Sequence, residues 1–180
     1  MRVIAGEYRG KKLFAPADDT VRPTGDRIKE SLFQILSMRL VGARVLDLFC
    51  GSGALGIECL SRGAEEVIFN DASKESVALT QKNLRAIGRR CAVSNGDYLA
   101  CLARAAGQFD LIFADPPYKE NYCAEILNAV KARSLLKKGG LVIYESEREE
   151  VATEGFERCD LRSYGRTKVA FFRALPAEGI

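Results

Sequence analysis

Apolar runs and helical segments alternate almost without interruption from residue 45 to residue 145, and that alternation leaves few folds open to the chain. Val45 to Phe49 reads as a strand, and Ala54 to Arg62 as a helix ended by Gly63. Val67 to Asn70 is the next strand, followed by a helix from Ser73 to Ile87 that Gly88 stops. A weak strand at Cys91 to Ser94 precedes a helix from Tyr98 to Ala106, and Phe109 to Ala114 is a fourth strand. The spacing predicts a helix over Ala124 to Leu136, closed by Lys137-Lys138-Gly139-Gly140, and a fifth strand from Leu141 to Glu145. Repeated β-α units require a parallel sheet covered on both faces, an α/β fold. Arg158 to Tyr164 and Lys168 to Leu175 then read as an antiparallel pair around Gly165, which supplies an antiparallel edge.

Upstream, residues 2–14 read as a β-hairpin turning on GEYRG, and Pro16 with Asp18-Asp19 marks a loop. The expected organisation is an N-terminal hairpin appendage, 1–20, on a main domain, 21–180. A helix is expected from near Thr24, an N-cap after Arg22-Pro23, with Ile28, Leu32, Ile35 and Leu36 on one face.

Composition narrows the chemistry. The 180 residues contain no His, which excludes Ser-His-Asp triads, His general bases and His-ligated zinc. The six cysteines lie at least nine residues apart, so no CxxC knuckle exists; free, mostly buried thiols are expected, with Cys50 notable for its place. No metal site is expected. No window approaches the roughly 20 apolar residues of a membrane span, and MRVIAGEYRGKK has no apolar signal region. A cytoplasmic location is the expectation. The net charge of +3 is uneven: residues 1–44 carry +4 and the remainder −1, which suggests a polyanion touching one end.

Gly51-Ser52-Gly53-Ala54-Leu55-Gly56 matches G-x-G-x-x-G directly after a strand and before a helix, and Asp71 follows twenty residues after Gly51. That is the pattern of a nucleotide-ribose site, in which glycines admit the ligand and the second-strand acid takes the ribose hydroxyls. Asp47, four residues before Gly51, argues against a pyrophosphate at the helix N-terminus. It suits S-adenosylmethionine, whose sulfonium and ammonium are cationic. Asp47 also reads as a carboxylate bracing the loop through backbone amides, which is compatible with either ligand. Asp97, after the third strand, reads as an acceptor for an adenine amino group, with Tyr98 or its neighbours over the ring, or as the cap of the next helix.

Ala114-Asp115-Pro116-Pro117-Tyr118 follows the fourth strand, over the sheet edge where ligands bind. Two prolines remove two donors and leave a rigid rim of acceptors. An exocyclic amine is a poor nucleophile because its lone pair is delocalised into the ring. The Asp115 side chain and the Pro116 carbonyl can hold both N–H groups and turn the nitrogen toward a methyl donor. Tyr118 offers a face for stacking a base.

DLFCGSGALG (47–56), Asp71, Asp97 and ADPPY (114–118) together resemble the class I S-adenosylmethionine methyltransferases that modify amino groups. MRVIAGEYRGKKL at the start, RPTGDRIKESLFQIL at 22–36 and YGRTKVAFF at 164–172 are similar to the bacterial 16S rRNA (guanine(966)-N(2))-methyltransferase family. The resemblance runs from Met1 to about Phe172. DPPY alone is shared with DNA adenine methyltransferases, so the N-terminal segments carry the family specificity. Cys50 stands where many relatives have a small residue such as Ala.

The resemblance implies a Rossmann-like seven-stranded sheet, mostly parallel with an antiparallel edge strand, helices on both faces, and an N-terminal β-hairpin. It implies transfer of a methyl group from S-adenosyl-L-methionine to the N2 amine of a guanine in 16S rRNA of an assembling small ribosomal subunit. The cofactor contacts it implies are Thr24, Asp47, Phe49, Gly51, Ser52, Gly53, Asp71, Asp97, Tyr98 and Asp115, with catalysis by Asp115, Pro116, Pro117 and Tyr118. The hairpin would hold RNA. By residue type Arg2, Arg9, Lys11, Lys12 and Arg22 are the best phosphate contacts. The target guanine would have to leave its stack, and a monomer is expected.

An N6-adenine methyltransferase on DNA or RNA is the nearest alternative, but little chain remains for reading base edges. A protein-glutamine methyltransferase usually has Asn in place of Asp115. Pyrimidine C5 chemistry needs a Cys that commonly follows Pro, and none does here. A catalytically silent RNA-binding assembly factor has no need of the Asp115–Tyr118 rim, and a nicotinamide oxidoreductase lacks an obvious acid/base.

Overall fold

The computed structural model describes residues 1–16, 25–117 and 121–176. Its seven strands are β1 (Arg44–Asp47), β2 (Glu66–Asp71), β3 (Val93–Asn95), β4 (Phe109–Ala114), β5 (Leu136–Ser146), β6 (Phe156–Tyr164) and β7 (Thr167–Ala174). They form one sheet in the order β3-β2-β1-β4-β5-β7-β6. The first five pair in parallel, and β7 runs antiparallel to both β5 and β6. The antiparallel strand is therefore one place in from the edge, with β6 outside it. This is the class I methyltransferase fold.

Five α-helices cover the sheet: α1 (Asp26–Ile35), α2 (Ala54–Ser61), α3 (Lys74–Ala86), α4 (Tyr98–Arg104) and α5 (Cys123–Ala132). Side chains of a strand alternate between faces, so the apolar runs feed two cores. Val45, Phe69, Phe113, Ile143 and Phe171 pack under α1, α2 and α3. Leu46, Ile112, Val142, Tyr144 and Phe172 pack under α4 and α5.

Three local expectations change. The first helix begins at Asp26 after Gly25, with no side-chain cap, and Thr24 lies outside the described residues. Its buried side is Lys29, Leu32, Phe33 and Leu36, while Ile35 is exposed; a buried lysine shifted the face that apolar spacing indicates. Lys137–Gly140 belongs to β5 rather than to a helix end, because Leu136 already pairs with Phe109.

The hairpin expected over residues 2–14 closes through a single antiparallel bridge, Arg2 to Lys12. Between them the chain docks on α2 instead of extending a ladder. Glu7 N donates to Ser61 O at 2.7 Å, and Tyr8 N to Ser61 Oγ at 2.9 Å. Val3, Tyr8 and Leu13 are buried in the same core as α1 and α2. The described part of the expected appendage is thus continuous with that core, because its apolar side chains need a surface that two short strands cannot supply.

Candidate active site

The glycine loop is held by side chains from two directions. Gly53 caps α2 at φ 79°, a left-handed conformation that glycine adopts at no steric cost. At Gly56 a Cβ would fall 2.2 Å from the Phe69 ring, so the third glycine lets α2 lie directly on β2. Asp71, at the end of β2, accepts from Gly51 N through Oδ2 (2.9 Å) and from Ser73 N through Oδ1 (2.8 Å). Asp47 is buried and accepts from Gly56 N at 3.1 Å. Its bracing role is therefore present in the structure. Burial pushes its carboxyl up to about 7, Asp71 adds to the rise, and the Gly56 amide opposes it.

Two residues that the motif does not include complete the loop. Thr80 Oγ1 donates to Gly51 O at 2.9 Å, and Asn83 Nδ2 donates to Ser52 O at 2.8 Å. Asn83 also exchanges two hydrogen bonds with the Phe14 backbone, accepting from its N at 2.8 Å and donating to its O at 3.0 Å. One buried amide thus joins the N-terminal segment to the loop. Their α3 positions carry no motif; a buried Thr and Asn three apart on a helix face is the only trace in the sequence. Cys50 Sγ lies 3.3 Å from Thr80 Oγ1, and burial pushes its thiol up, which leaves it inert as a nucleophile. None of the six cysteines is in a disulfide.

Beyond β3, Asp97 Oδ1 accepts from Leu99 N (2.9 Å) and Ala100 N (3.2 Å), so it caps α4 while the residue stays exposed. Tyr98 is only 8% exposed. Its ring sits 5.4 Å from Phe49 and 4.5 Å from Tyr122, and its hydroxyl is bonded to Glu125. Phe49 and Tyr122 keep part of their surface open. Tyr98 is therefore a support beneath the aromatic cluster more than an open plate.

At the end of β4, Ala114 pairs in parallel with Tyr144 of β5, so the next residues, Asp115 and Glu145, stand in register beside each other. Both line a small pocket with Leu32, Leu55 and Val169. Asp115 is half-buried, Pro116 buried and Pro117 exposed. Burial, then Glu145 and then Asp47, hold the Asp115 carboxyl well above its usual range. Tyr122 N donates to Tyr144 Oη at 3.1 Å, which pins the chain after the proline pair to β5. Tyr118 and Arg22 lie outside the described residues, while Arg2, Arg9, Lys11 and Lys12 are exposed on the N-terminal segment.

Asp47, Asp71, Asp97, Asp115 and Glu145 therefore cluster along one edge of the sheet, where strands β1 to β5 end. Such a set repels phosphate and favours a cationic ligand. Among the described residues no group of His, Cys, Asp and Glu is arranged to hold a metal ion, and no helix is long and apolar enough to cross a membrane.

A family model described as Conserved hypothetical protein 95 matches residues 1–173. The chain belongs to that family. YlbH of Bacillus subtilis is 36% identical to this chain, over 96% of this chain and 98% of the relative. The ribosomal RNA small subunit methyltransferase D of Haemophilus influenzae is 36% identical, over 83% of this chain and 80% of the relative. The solved structure of yhhF from Escherichia coli has a TM-score of 0.86 at 30% identity and covers 97% of each chain. The likeness to the Conserved hypothetical protein 95 family thus takes in the N-terminal segment, the glycine loop and the Asp115 loop together.

Proposed function

We propose that this protein transfers a methyl group from S-adenosylmethionine to the N2 amine of a guanine in small-subunit rRNA, acting as a monomer in the cytoplasm. The observation that carries the reading is the Asp115-Pro116-Pro117 rim at the end of β4, set across β1 from a glycine loop. Its relatives support an rRNA substrate: one is a ribosomal RNA small subunit methyltransferase. S-adenosylmethionine suits the residues present, because it needs a glycine cradle, acceptors for ribose and adenine, and carboxylates near two positive charges. When bound, it supplies an electrophilic methyl carbon on a sulfonium centre.

The protein's own groups do the rest. Gly51, Ser52 and Gly53 present backbone to the cofactor, Asp71 takes the ribose, and Asp97 keeps its second carboxylate oxygen for the adenine amine. Phe49 and Thr24 complete the pocket, with Tyr98 behind Phe49. The Asp115 side chain and the Pro116 carbonyl accept the two N–H groups of the guanine amine, Pro117 stiffens the rim, and Tyr118 stacks on the base. Fixing the nitrogen in this way converts a weak nucleophile into one aimed at the methyl carbon. Arg2, Arg9, Lys11, Lys12 and Arg22 hold phosphates.

The test is to incubate the protein with labelled S-adenosylmethionine and small subunits lacking the modification, then digest the RNA to nucleosides. Label in N2-methylguanosine is the expected result. Label in N6-methyladenosine would keep the mechanism and move the target, and tight cofactor binding with no label would leave the silent assembly factor.

Asp47 gives a second check. Its folded carboxyl releases its proton near 7, against 3.8 ordinarily, so the folded state holds more protons between those values. Its contribution to stability therefore falls as pH rises from about 4 to about 7. A cationic ligand would reverse this by favouring the carboxylate. In urea titrations the difference between Asp47→Asn and the native protein should grow across that window, and calorimetry should show proton release on cofactor binding that Asp47→Asn loses. Parallel pH curves for the two proteins would remove Asp47 from this role.

A further inference from the structure

The N-terminal segment meets α3 at two points, and both carry cations. Lys82 Nζ lies 3.7 Å from the centroid of the Phe14 ring, which is itself 46% exposed. About 10 Å further along the axis, Arg89 Nη1 reaches Tyr8 Oη at 3.5 Å. Arg85 lies between them, three residues from Lys82 on the exposed side of α3. Among the described residues, none of Lys82, Arg85 and Arg89 makes an ion pair. On the far side of the sheet, by contrast, Arg162, Lys168 and Arg173 are each matched to an acid. An unneutralised row of cations beside an open aromatic ring combines the two features that hold a nucleic acid strand: phosphate ligands and a stacking face.

We propose that the outer face of α3, from Lys82 through Arg85 to Arg89 together with Phe14, is part of the RNA-binding surface and extends it beyond the N-terminal cations. The proposal rests on the rRNA reading above and identifies where the flanking RNA runs. Asn83 gives this surface a fixed relation to the reaction. Its side chain is bonded both to Phe14 and to Ser52 of the glycine loop, so a strand held at Phe14 is held in register with the cofactor site.

The experiment compares two variants with equal loss of charge. One is Lys82→Gln/Arg85→Gln/Arg89→Gln, and the control is Lys131→Gln/Arg133→Gln/Lys138→Gln, at the opposite end of the fold. Steady-state methylation of small subunits is measured from 50 to 300 mM salt, with cofactor affinity by calorimetry. The α3 triple should raise KM for subunits by roughly tenfold or more and flatten the log–log salt slope by about two, because each lost phosphate contact removes close to one. Its cofactor affinity and the control triple's KM should match the native protein. Equal KM in the two triples would overturn the proposal. So would unchanged binding of naked rRNA by the α3 triple alongside lost methylation of subunits, since the face would then meet a ribosomal protein. A native protein that methylates no subunit RNA would overturn the rRNA reading and this surface with it.

Discussion

Asp115→Ala lowers methyl transfer by on the order of 10³-fold while cofactor affinity stays within a few-fold. The side chain sits in register with Glu145 at the end of β4, and the rim it begins is stiffened by Pro116 and Pro117. Removing a preorganised polar group aimed at developing charge has an effect of roughly 10²–10³ in turnover. Asp115→Asn keeps an acceptor oxygen in place, so its loss should be about tenfold, smaller than that of alanine. The two variants separate hydrogen bonding to the amine from charge at that position. The carboxyl is also held well above its usual range by burial, Glu145 and Asp47. A raised folded value means that stability falls as pH rises out of the acid range. Asp115→Asn should therefore unfold at a higher urea concentration than the native protein at neutral pH, while being less active. Asp115→Ala with native turnover, or Asp115→Asn less stable than the native protein, would remove the corresponding half of the argument.

Glu58→Ala should destabilise the fold by about 3–5 kcal/mol, the range for removing one partner of a buried ion pair. Glu58 is fully buried in α2. Its carboxylate accepts from Ile4 N at 2.9 Å and Ala5 N at 3.0 Å, and from Arg62 Nε at 2.8 Å. Lys29 Nζ, equally buried in α1, lies 3.9 Å from it and donates to Arg2 O at 2.8 Å. Burial lowers the Lys29 ammonium's proton affinity, and Glu58 is the first group opposing that shift. Alanine strands two amides and leaves that ammonium without its nearest counter-charge. The expected fall in melting temperature is roughly 6–20 °C for a chain of this size. Lys29→Met should cost less, because Arg62 still neutralises Glu58. Equal losses in the two variants would show that the amide contacts contribute nothing beyond the pair.

Much of the molecule is legible in the residues alone. The alternation from Val45 to Glu145 is local information: apolar runs long enough for strands, helices stopped by Gly63 and Gly88, and a glycine loop between the first pair. All of these elements exist, with ends displaced by a few residues. Asp115 and Asp71 were visible because each stands at a fixed distance from a strand or a glycine motif. The charge surplus in the first 44 residues was likewise visible without coordinates.

What periodicity could not carry is anything decided by a contact between distant segments. Lys29 and Glu58 look like surface residues of amphipathic helices, and they are buried because the N-terminal segment needs acceptors and donors for its backbone. Asn83 looks like an ordinary helix residue until Phe14 and Ser52 are brought to either side of it. Glu145 acquires its significance only when parallel pairing of β4 with β5 sets it beside Asp115. The strand order also depends on tertiary pairing: two antiparallel strands at the end of the chain can be recognised, but the sequence has no term for which of them takes the inner place. The sequence by itself determined the α/β class, the glycine loop and the chemistry of the Asp115 rim, since backbone preference and spacing encode these within a few residues. The tertiary structure decided which carboxylates share a pocket and which polar groups are buried, because both follow from long-range burial and strand register.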